Sequence, residues 1–442
     1  MNDHCLQAAE QYGKTQPAGL GLKRFYHLST TWIQQRLEKN RFLRNSGWIG
    51  ISELLSRVSR LLTAMVLARY LSLEAFGVAA LAMTVHEVIK VFNQNGIGAK
   101  IIQAPDDQLE SVCNTAYRLN WIVCGGLFLI QCLLAYPISQ LYQQPDLMWM
   151  IMILALIYLL MPIALVQAFL IQRQNRLKVT ALISGAQVTV DNLLTALLAV
   201  VGLGAWAVVL PKLLVAPIWV IGTMINQPWK LSRSAGYAHW REIVHFGKHV
   251  LGVELLKTVR LHLDNFIIGR FLGIEALGIY FFARNAGLGL SLSLTNAFNM
   301  ALFPHLCEVR DDHKALRKKF IHALKTIVLT LFPVILLQSL LAPWYVPIVF
   351  GEKWLPAIPV FLILCLSAIP RPFGEGASEV MRVLNKPHID FFWNMAFSLL
   401  FLVGISISLA WGIVGVAVSI LSIHLLLMPL YAAWVTRRYL TQ

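Results

Sequence analysis

Ala68-Arg69-Tyr70-Leu71-Ser72-Leu73-Glu74-Ala75-Phe76-Gly77 is met again 201 positions later as Gly269-Arg270-Phe271-Leu272-Gly273-Ile274-Glu275-Ala276-Leu277-Gly278. Ahead of it, Glu53-Leu54-Leu55-Ser56-Arg57-Val58 recurs at the same offset as Glu254-Leu255-Leu256-Lys257-Thr258-Val259. Two unrelated hydrophobic helices that end in Arg would share residue types but not this register. An ungapped offset through an apolar helix, a charged turn and the next helix start marks two copies of one structural half. Repeats of this size are the layout of many secondary transporters, so transport is the working expectation before any site is considered.

Composition agrees. Of 442 residues, 57% are hydrophobic and 13% charged, and the mean hydropathy is +0.64. Apolar segments long enough to cross a bilayer, roughly 20 residues each, recur along almost the whole chain. They are continuous rather than alternating, which excludes a β-barrel. The expected fold class is an all-α polytopic membrane protein of about twelve transmembrane helices, arranged as two six-helix bundles related by a parallel internal repeat. The net charge of +15 belongs to membrane topology and not to a nucleic-acid partner. Cys5, Cys113, Cys124, Cys132, Cys307 and Cys365 form no CxxC pair and no zinc spacing, and read as small core residues. Residues 1–45 hold no apolar h-region, so no cleavable signal peptide is expected.

The chain divides into a cytoplasmic tail (1–45), a first six-helix bundle (46–225), a cytoplasmic linker (226–243) and a second six-helix bundle (244–437). Within the tail, Leu22, Phe25, Tyr26, Trp32, Ile33 and Leu37 recur near helical spacing among Lys and Arg. They suit a helix lying in the headgroup region, with a solvated tail as the alternative. With the N-terminus inside, the loops on that side hold 24 Lys and Arg, whereas the opposite loops hold Arg270 and Lys353. That asymmetry predicts two cytoplasmic termini and a cell inner membrane location. An even number of spans per half makes the repeats parallel, with the path between them.

Seven cations fall inside spans and away from their ends: Arg57, Arg60, Lys90, Lys212, Lys257, Arg260 and Arg284. A charge at bilayer depth costs several kcal/mol unless it meets water or a partner, so each marks an interior surface. Glu53, Arg57 and Arg60 stand at i, i+4 and i+7; Glu254, Lys257, Arg260 and Asp264 stand at i, i+3, i+6 and i+10. Lys90 with Glu87, and Arg284 with Asn285, add to the same surface if their helices adjoin. Against the seven cations stand five carboxylates, Glu53, Glu87, Asp191, Glu254 and Asp264. Surplus positive charge suits an anionic substrate, and Arg grips phosphate through paired hydrogen bonds. Internal ion pairs that only fix helix packing are the competing reading for Glu53–Arg57 and Glu254–Lys257. Arg371 stands near an expected span end (355–375), where snorkelling explains it. Asp191-Asn192 is expected to pair with a neighbouring helix. Walker A, HExxH and GxSxG motifs and acidic metal clusters are absent, so no catalytic residue, metal site or cofactor is expected.

Four motifs, in order and in topology, carry a family resemblance. They are the Ala68–Gly77 turn; Gly96-Ile97-Gly98-Ala99 leading to Ile102-Gln103; Leu263-Asp264-Asn265-Phe266-Ile267-Ile268-Gly269-Arg270-Phe271-Leu272-Gly273; and Phe350-Gly351-Glu352-Lys353-Trp354. Over residues 42–437 the chain resembles the Wzx-type flippases. These are the polysaccharide branch of the multidrug/oligosaccharidyl-lipid/polysaccharide exporter superfamily. The resemblance implies two bundles that rock between inward-open and outward-open states. It also implies an undecaprenyl-pyrophosphate-linked oligosaccharide as substrate, carried outward for surface polysaccharide synthesis. Membrane lipids, and a polysaccharide polymerase complex as a further candidate, are the expected partners. On that reading Arg57, Arg60, Lys90, Lys257, Arg260 and Arg284 contact substrate, and Glu53 and Asp264 are candidates for ion coupling. A cation-coupled multidrug exporter of the same fold is the alternative; it would call for an acidic cavity. A membrane scaffold without transport is the third class.

Overall fold

The computed structural model describes residues 58–93, 97–231, 240–310 and 312–440. The 1–45 tail with its amphipathic segment, Glu53, Arg57 and positions 232–239 of the linker lie outside the described residues, as do the side chains of Glu254 and Lys257. Helical residues 58–70 (α1) lead through Leu71-Ser72 into α2 (Leu73–Lys90), followed by α3 (Ile97–Gln103) and α4 (Leu109–Tyr142). Next come α5 (Pro145–Ala155), α6 (Ile157–Leu160) and α7 (Pro162–Arg173), then α8 (Leu177–Val201), α9 (Trp206–Leu214) and α10 (Ala216–Asn226). The second half runs through α11 (Trp240–Phe271), α12 (Ile274–Cys307), α13 (His313–Phe350) and α14 (Ile358–Leu366). It ends with α15 (Arg371–Val383), α16 (Pro387–Ser408) and α17 (Gly412–Tyr439). Among the described residues, seven helices are long and apolar enough to cross a membrane, or eight if the pair Pro145–Leu160 and Pro162–Arg173, bent by 56°, is one span. Pro162 removes a backbone donor at that bend, the usual cause of a sharp kink. The chain is a multi-pass helical membrane protein.

Local chemistry sets the duplicated turn. Ser72 caps α2, its hydroxyl accepting from the Ala75 amide at 3.1 Å, with Glu74 in the first turn and Lys90 in the last. In the second copy Gly273 takes that place at φ +94°, a conformation that favours glycine. The two copies then meet. α2 packs along α12, and a Cβ on Gly77 would lie 2.0 Å from the Ile274 carbonyl oxygen, while one on Gly278 would lie 2.0 Å from that of Leu73. Ile274 and Gly278 are the positions 201 residues after Leu73 and Gly77, so this closest approach is reciprocal.

Further bonds between the halves gather at the same end of the molecule, where charged residues are few. Arg69 donates to the carbonyls of Ile348 (2.8 Å) and Val349 (3.2 Å). Lys353 returns two bonds, to the carbonyls of Arg69 (2.9 Å) and Leu71 (2.6 Å). Trp354, fully buried, donates its indole N–H to Ala68 O at 2.8 Å and stacks on Phe282 at 3.9 Å, with Phe76 edge-on at 4.9 Å. Tyr142 donates to Phe266 O at 2.9 Å. The Phe350–Trp354 turn, one of the four motifs that carry the family resemblance, is therefore a clasp on the first half. At the other end, outside the spans, Lys319 donates to Glu308 at 2.7 Å and holds that carboxyl below its usual range.

The expected span 355–375 is longer than the sequence suggests. The apolar run continues from Glu352 to Val383 with a break at Ser367–Pro370 in its middle. Pro370 and Pro372 read as a helix end because they cannot donate. Within the break, Leu366 O, which Pro370 leaves without its helical donor, accepts from the Ile369 amide at 3.1 Å, and the Ser367 hydroxyl donates to Leu364 O at 2.7 Å, so the chain stays bonded inside the core. This break places Arg371 deep in the bundle.

Candidate functional site

Among the described residues, two pockets in the interior carry clustered charged side chains, one in each half, and the wall of the first-half one is mostly apolar. The second-half pocket, about 120 Å³, draws Arg260 and Asp264 from α11, Tyr280 and Arg284 from α12, Arg371 and Glu375 from α15, and Asn394 and Phe397 from α16. Asp264 is buried; its Oδ2 accepts from Tyr280 (2.5 Å) and from Arg284 (2.6 Å), and its Oδ1 from the Asn265 amide (2.9 Å). Arg284 spends its other fork on Leu261 O at 2.7 Å. That cation is neutralised in place. Glu375 accepts from Asn299.

The other two arginines are different. Arg260 donates to Asn394 Oδ1 at 2.7 Å and lies 5.6 Å over the Phe397 ring, so its partners are neutral. Asn394 is held for that role by its own bonds to Asp390, 2.8 Å to the carbonyl and 2.9 Å to the carboxylate. Arg371 stands one turn before Glu375, yet its buried Nε has no hydrogen-bond partner. A guanidinium in low dielectric without a carboxylate is costly unless an anion completes it. Each of these two forks has the donors for two phosphate oxygens, and Glu375 lines the same pocket.

The first-half cavity is wider, about 520 Å³, and lined by His86, Glu87, Lys90, Gln187, Asp191, Lys212 and Trp219 among others. Its charges are matched. Lys90 pairs with Glu87 at 2.9 Å one turn earlier on α2, and Lys212 on α9 pairs with Asp191 on α8. His86 backs the wall, 3.3 Å from Gln131 and stacked on Tyr158.

The sequence-predicted residues are thus distributed unevenly. Arg260, Asp264 and Arg284 come together in the second-half pocket. Lys90 lies in the other cavity, already paired. Arg60 is exposed on α1, lines neither pocket and makes no bond to a described residue; its neighbour Ser59 accepts from Asn192 at 2.9 Å. Asp191 meets a neighbouring helix as expected, through Lys212. Arg371 and Glu375 were missed because the prolines around Arg371 imitate a span end. The available signal was their i, i+4 spacing directly after a broken apolar run, the arrangement from which transporter sites are built. With Glu375 included, the pocket holds three arginines against two carboxylates, a smaller surplus than the sequence count implied.

A family model described as "Polysaccharide biosynthesis protein" matches residues 66–359. The chain is 26% identical to the teichuronic acid biosynthesis protein TuaB of Bacillus subtilis (strain 168), over 69% of this chain and 64% of that one. It is 24% identical to the lipopolysaccharide biosynthesis protein WzxC of Escherichia coli (strain K12), over 88% and 79%. Among solved structures, the lipid II flippase MurJ in its inward closed conformation superposes with a TM-score of 0.71 at 13% identity, covering 88% of this chain and 87% of that one. At that identity the likeness speaks for the fold.

Proposed function

The chain belongs to the polysaccharide biosynthesis protein family, as its motifs led one to expect, and we propose that it flips a lipid-diphosphate-linked oligosaccharide across the cytoplasmic membrane. One observation carries the reading: Arg260 and Arg371 share a pocket inside the bundle, neither forms an ion pair at hydrogen-bond distance, and Glu375 is the one carboxylate of that pocket left to balance both. A diphosphate supplies the missing negative charge, and the polyprenyl tail stays in lipid. An acidic drug-exporter cavity is the opposite arrangement. The name of WzxC, a lipopolysaccharide biosynthesis protein, supports a surface-glycan substrate, and the MurJ likeness supports the flippase fold.

On this reading the helices form twelve spans in two parallel-repeat bundles, a layout supported by the reciprocal Gly77 and Gly278 contacts. Both termini are cytoplasmic, following the Lys and Arg bias. The clasp through Arg69, Lys353 and Trp354 then closes the outer end, leaving an inward-facing state. Alternation follows when the loaded and empty pockets favour different states. Asp264 is the candidate for ion coupling, because its protonation would release Arg284 into the pocket.

The test is reconstitution. In liposomes of bacterial lipid, a fluorescent polyprenyl-diphosphate oligosaccharide becomes accessible to an outside reagent only with intact protein. Arg260→Ala with Arg371→Ala abolishes this while the variant stays folded. Flipping at the normal rate by that double variant would reject the site.

A further inference from the structure

The first-half cavity has no use for an anion, since both of its cations are matched by carboxylates within bonding distance. It nevertheless holds polar atoms without partners. Asp191 is buried and lines the cavity, and its fully enclosed Oδ1 has no hydrogen bond, although Oδ2 is taken by Lys212. Trp219 lines the same space, half-buried, and its indole N–H bonds to no described residue. A buried carboxylate oxygen left bare is expensive, and native structures retain one where a ligand or water completes it. A metal cation is a poor occupant beside the Lys212 ammonium group already on that carboxylate.

What fits is a neutral polyol. A sugar ring offers hydroxyls that donate to Asp191 Oδ1 and Glu87 and accept from Lys90, Lys212 and the Trp219 N–H. It also offers an apolar C–H face to an indole. Net neutrality suits such a guest, because nothing in it must be left unpaired. Size agrees: about 520 Å³ lies in the usual small-molecule range of roughly 300–1,000 Å³, whereas the arginine pocket of about 120 Å³ suits a phosphate group. We infer that the two halves divide one substrate: the second half takes the diphosphate, and the first-half cavity around Asp191 and Trp219 takes neutral sugar units of the glycan. This rests on the flippase reading and adds where the glycan is read.

Binding of two probes to the full-length protein in nanodiscs separates the two claims. One probe is polyprenyl diphosphate; the other is the same lipid bearing a tetrasaccharide of neutral hexoses. The wild type should hold the glycosylated probe about tenfold more tightly. Trp219→Ala should abolish that preference and leave the polyprenyl diphosphate affinity within about twofold, which also reports a folded protein; Trp219→Phe, keeping a stacking face, should retain most of it. Equal affinity of the wild type for both probes would overturn the inference. So would a preference that survives Trp219→Ala, or a variant that loses both probes alike. Failure of the wild type to bind even the bare diphosphate would instead reject the flippase reading itself.

Discussion

The two halves share a scaffold but treat buried charge in opposite ways. In the first half each pocket cation is matched at short range, Lys90 by Glu87 and Lys212 by Asp191. In the second half only Arg284 is so matched, by Asp264, while Arg260 leans on an amide and a ring, and Arg371 has a bare buried Nε. The 201-residue sequence repeat does not explain this divergence. The difference teaches where charge is structural and where it is held in reserve. A paired ion in the bundle is already compensated, and an unpaired arginine is compensated only when substrate arrives.

The largest effect that could break this contrast is on diphosphate binding. A hydrogen bond to a charged group contributes about 1.5–3 kcal/mol. Arg260→Ala with Arg371→Ala should therefore weaken polyprenyl diphosphate binding by roughly two to four orders of magnitude, measured by titration in nanodiscs. The matched half should respond in stability instead. Lys212→Met strands the Asp191 carboxylate and should cost about 3–5 kcal/mol of unfolding free energy. Adding Asp191→Asn should recover most of that loss, and thermal unfolding of the single and double variants measures it. A double variant no more stable than the single would mean that the pair is not the self-contained unit described.

Much of the frame was legible in the sequence, and the reason is register. The 201-residue offset identified the turns that meet, and the Lys and Arg bias identified the charge-poor end. Asp264, Arg260 and Arg284 were also readable, because helical spacing sets which residues share a face. Arg371 and Glu375 were not, since a proline pair inside a span and one at its end look alike until packing decides whether the freed carbonyls are buried. Pairing across helices was equally hidden. Nothing in sequence spacing joins Lys212 to Asp191, 21 positions apart on different helices, or tells the paired Lys90, three residues after Glu87, from Arg371, four residues before Glu375, whose Nε is bare. The value of Lys353 and Trp354 was missed because their partners are carbonyls nearly three hundred residues away.

The shared scaffold can be tested against the divergent charges. Gly77 and Gly278 each face the other half's backbone carbonyl at a distance no Cβ tolerates. Gly77→Ala and Gly278→Ala should each lower the unfolding free energy by about 1–3 kcal/mol, and by similar amounts, because the contact is reciprocal. Thermal unfolding in detergent compares them directly. A large loss from one and none from the other would mean that the halves are not related by the symmetry the offset implies.

The smallest expected effect concerns the clasp, whose bonds run in both directions. The second half contributes Lys353, with two bonds to first-half carbonyls, and Trp354, with one; the first half returns Arg69, also with two, and Tyr142, with one to Phe266 O. Lys353 is near the surface, so solvent screening trims its contribution to about 1–2 kcal/mol. Lys353→Met should thus speed hydrogen exchange of the amides in 68–77 by roughly tenfold, whereas Tyr142→Phe, losing one neutral bond of about 1 kcal/mol, should speed those in 266–272 by a few-fold. Because the two variants loosen the same closure from opposite halves, both should also raise accessibility at that end while leaving the arginine pocket's diphosphate affinity intact. A Tyr142→Phe effect larger than that of Lys353→Met would mean that the neutral tyrosine bond, and not the charged lysine, is the stronger of these two fastenings.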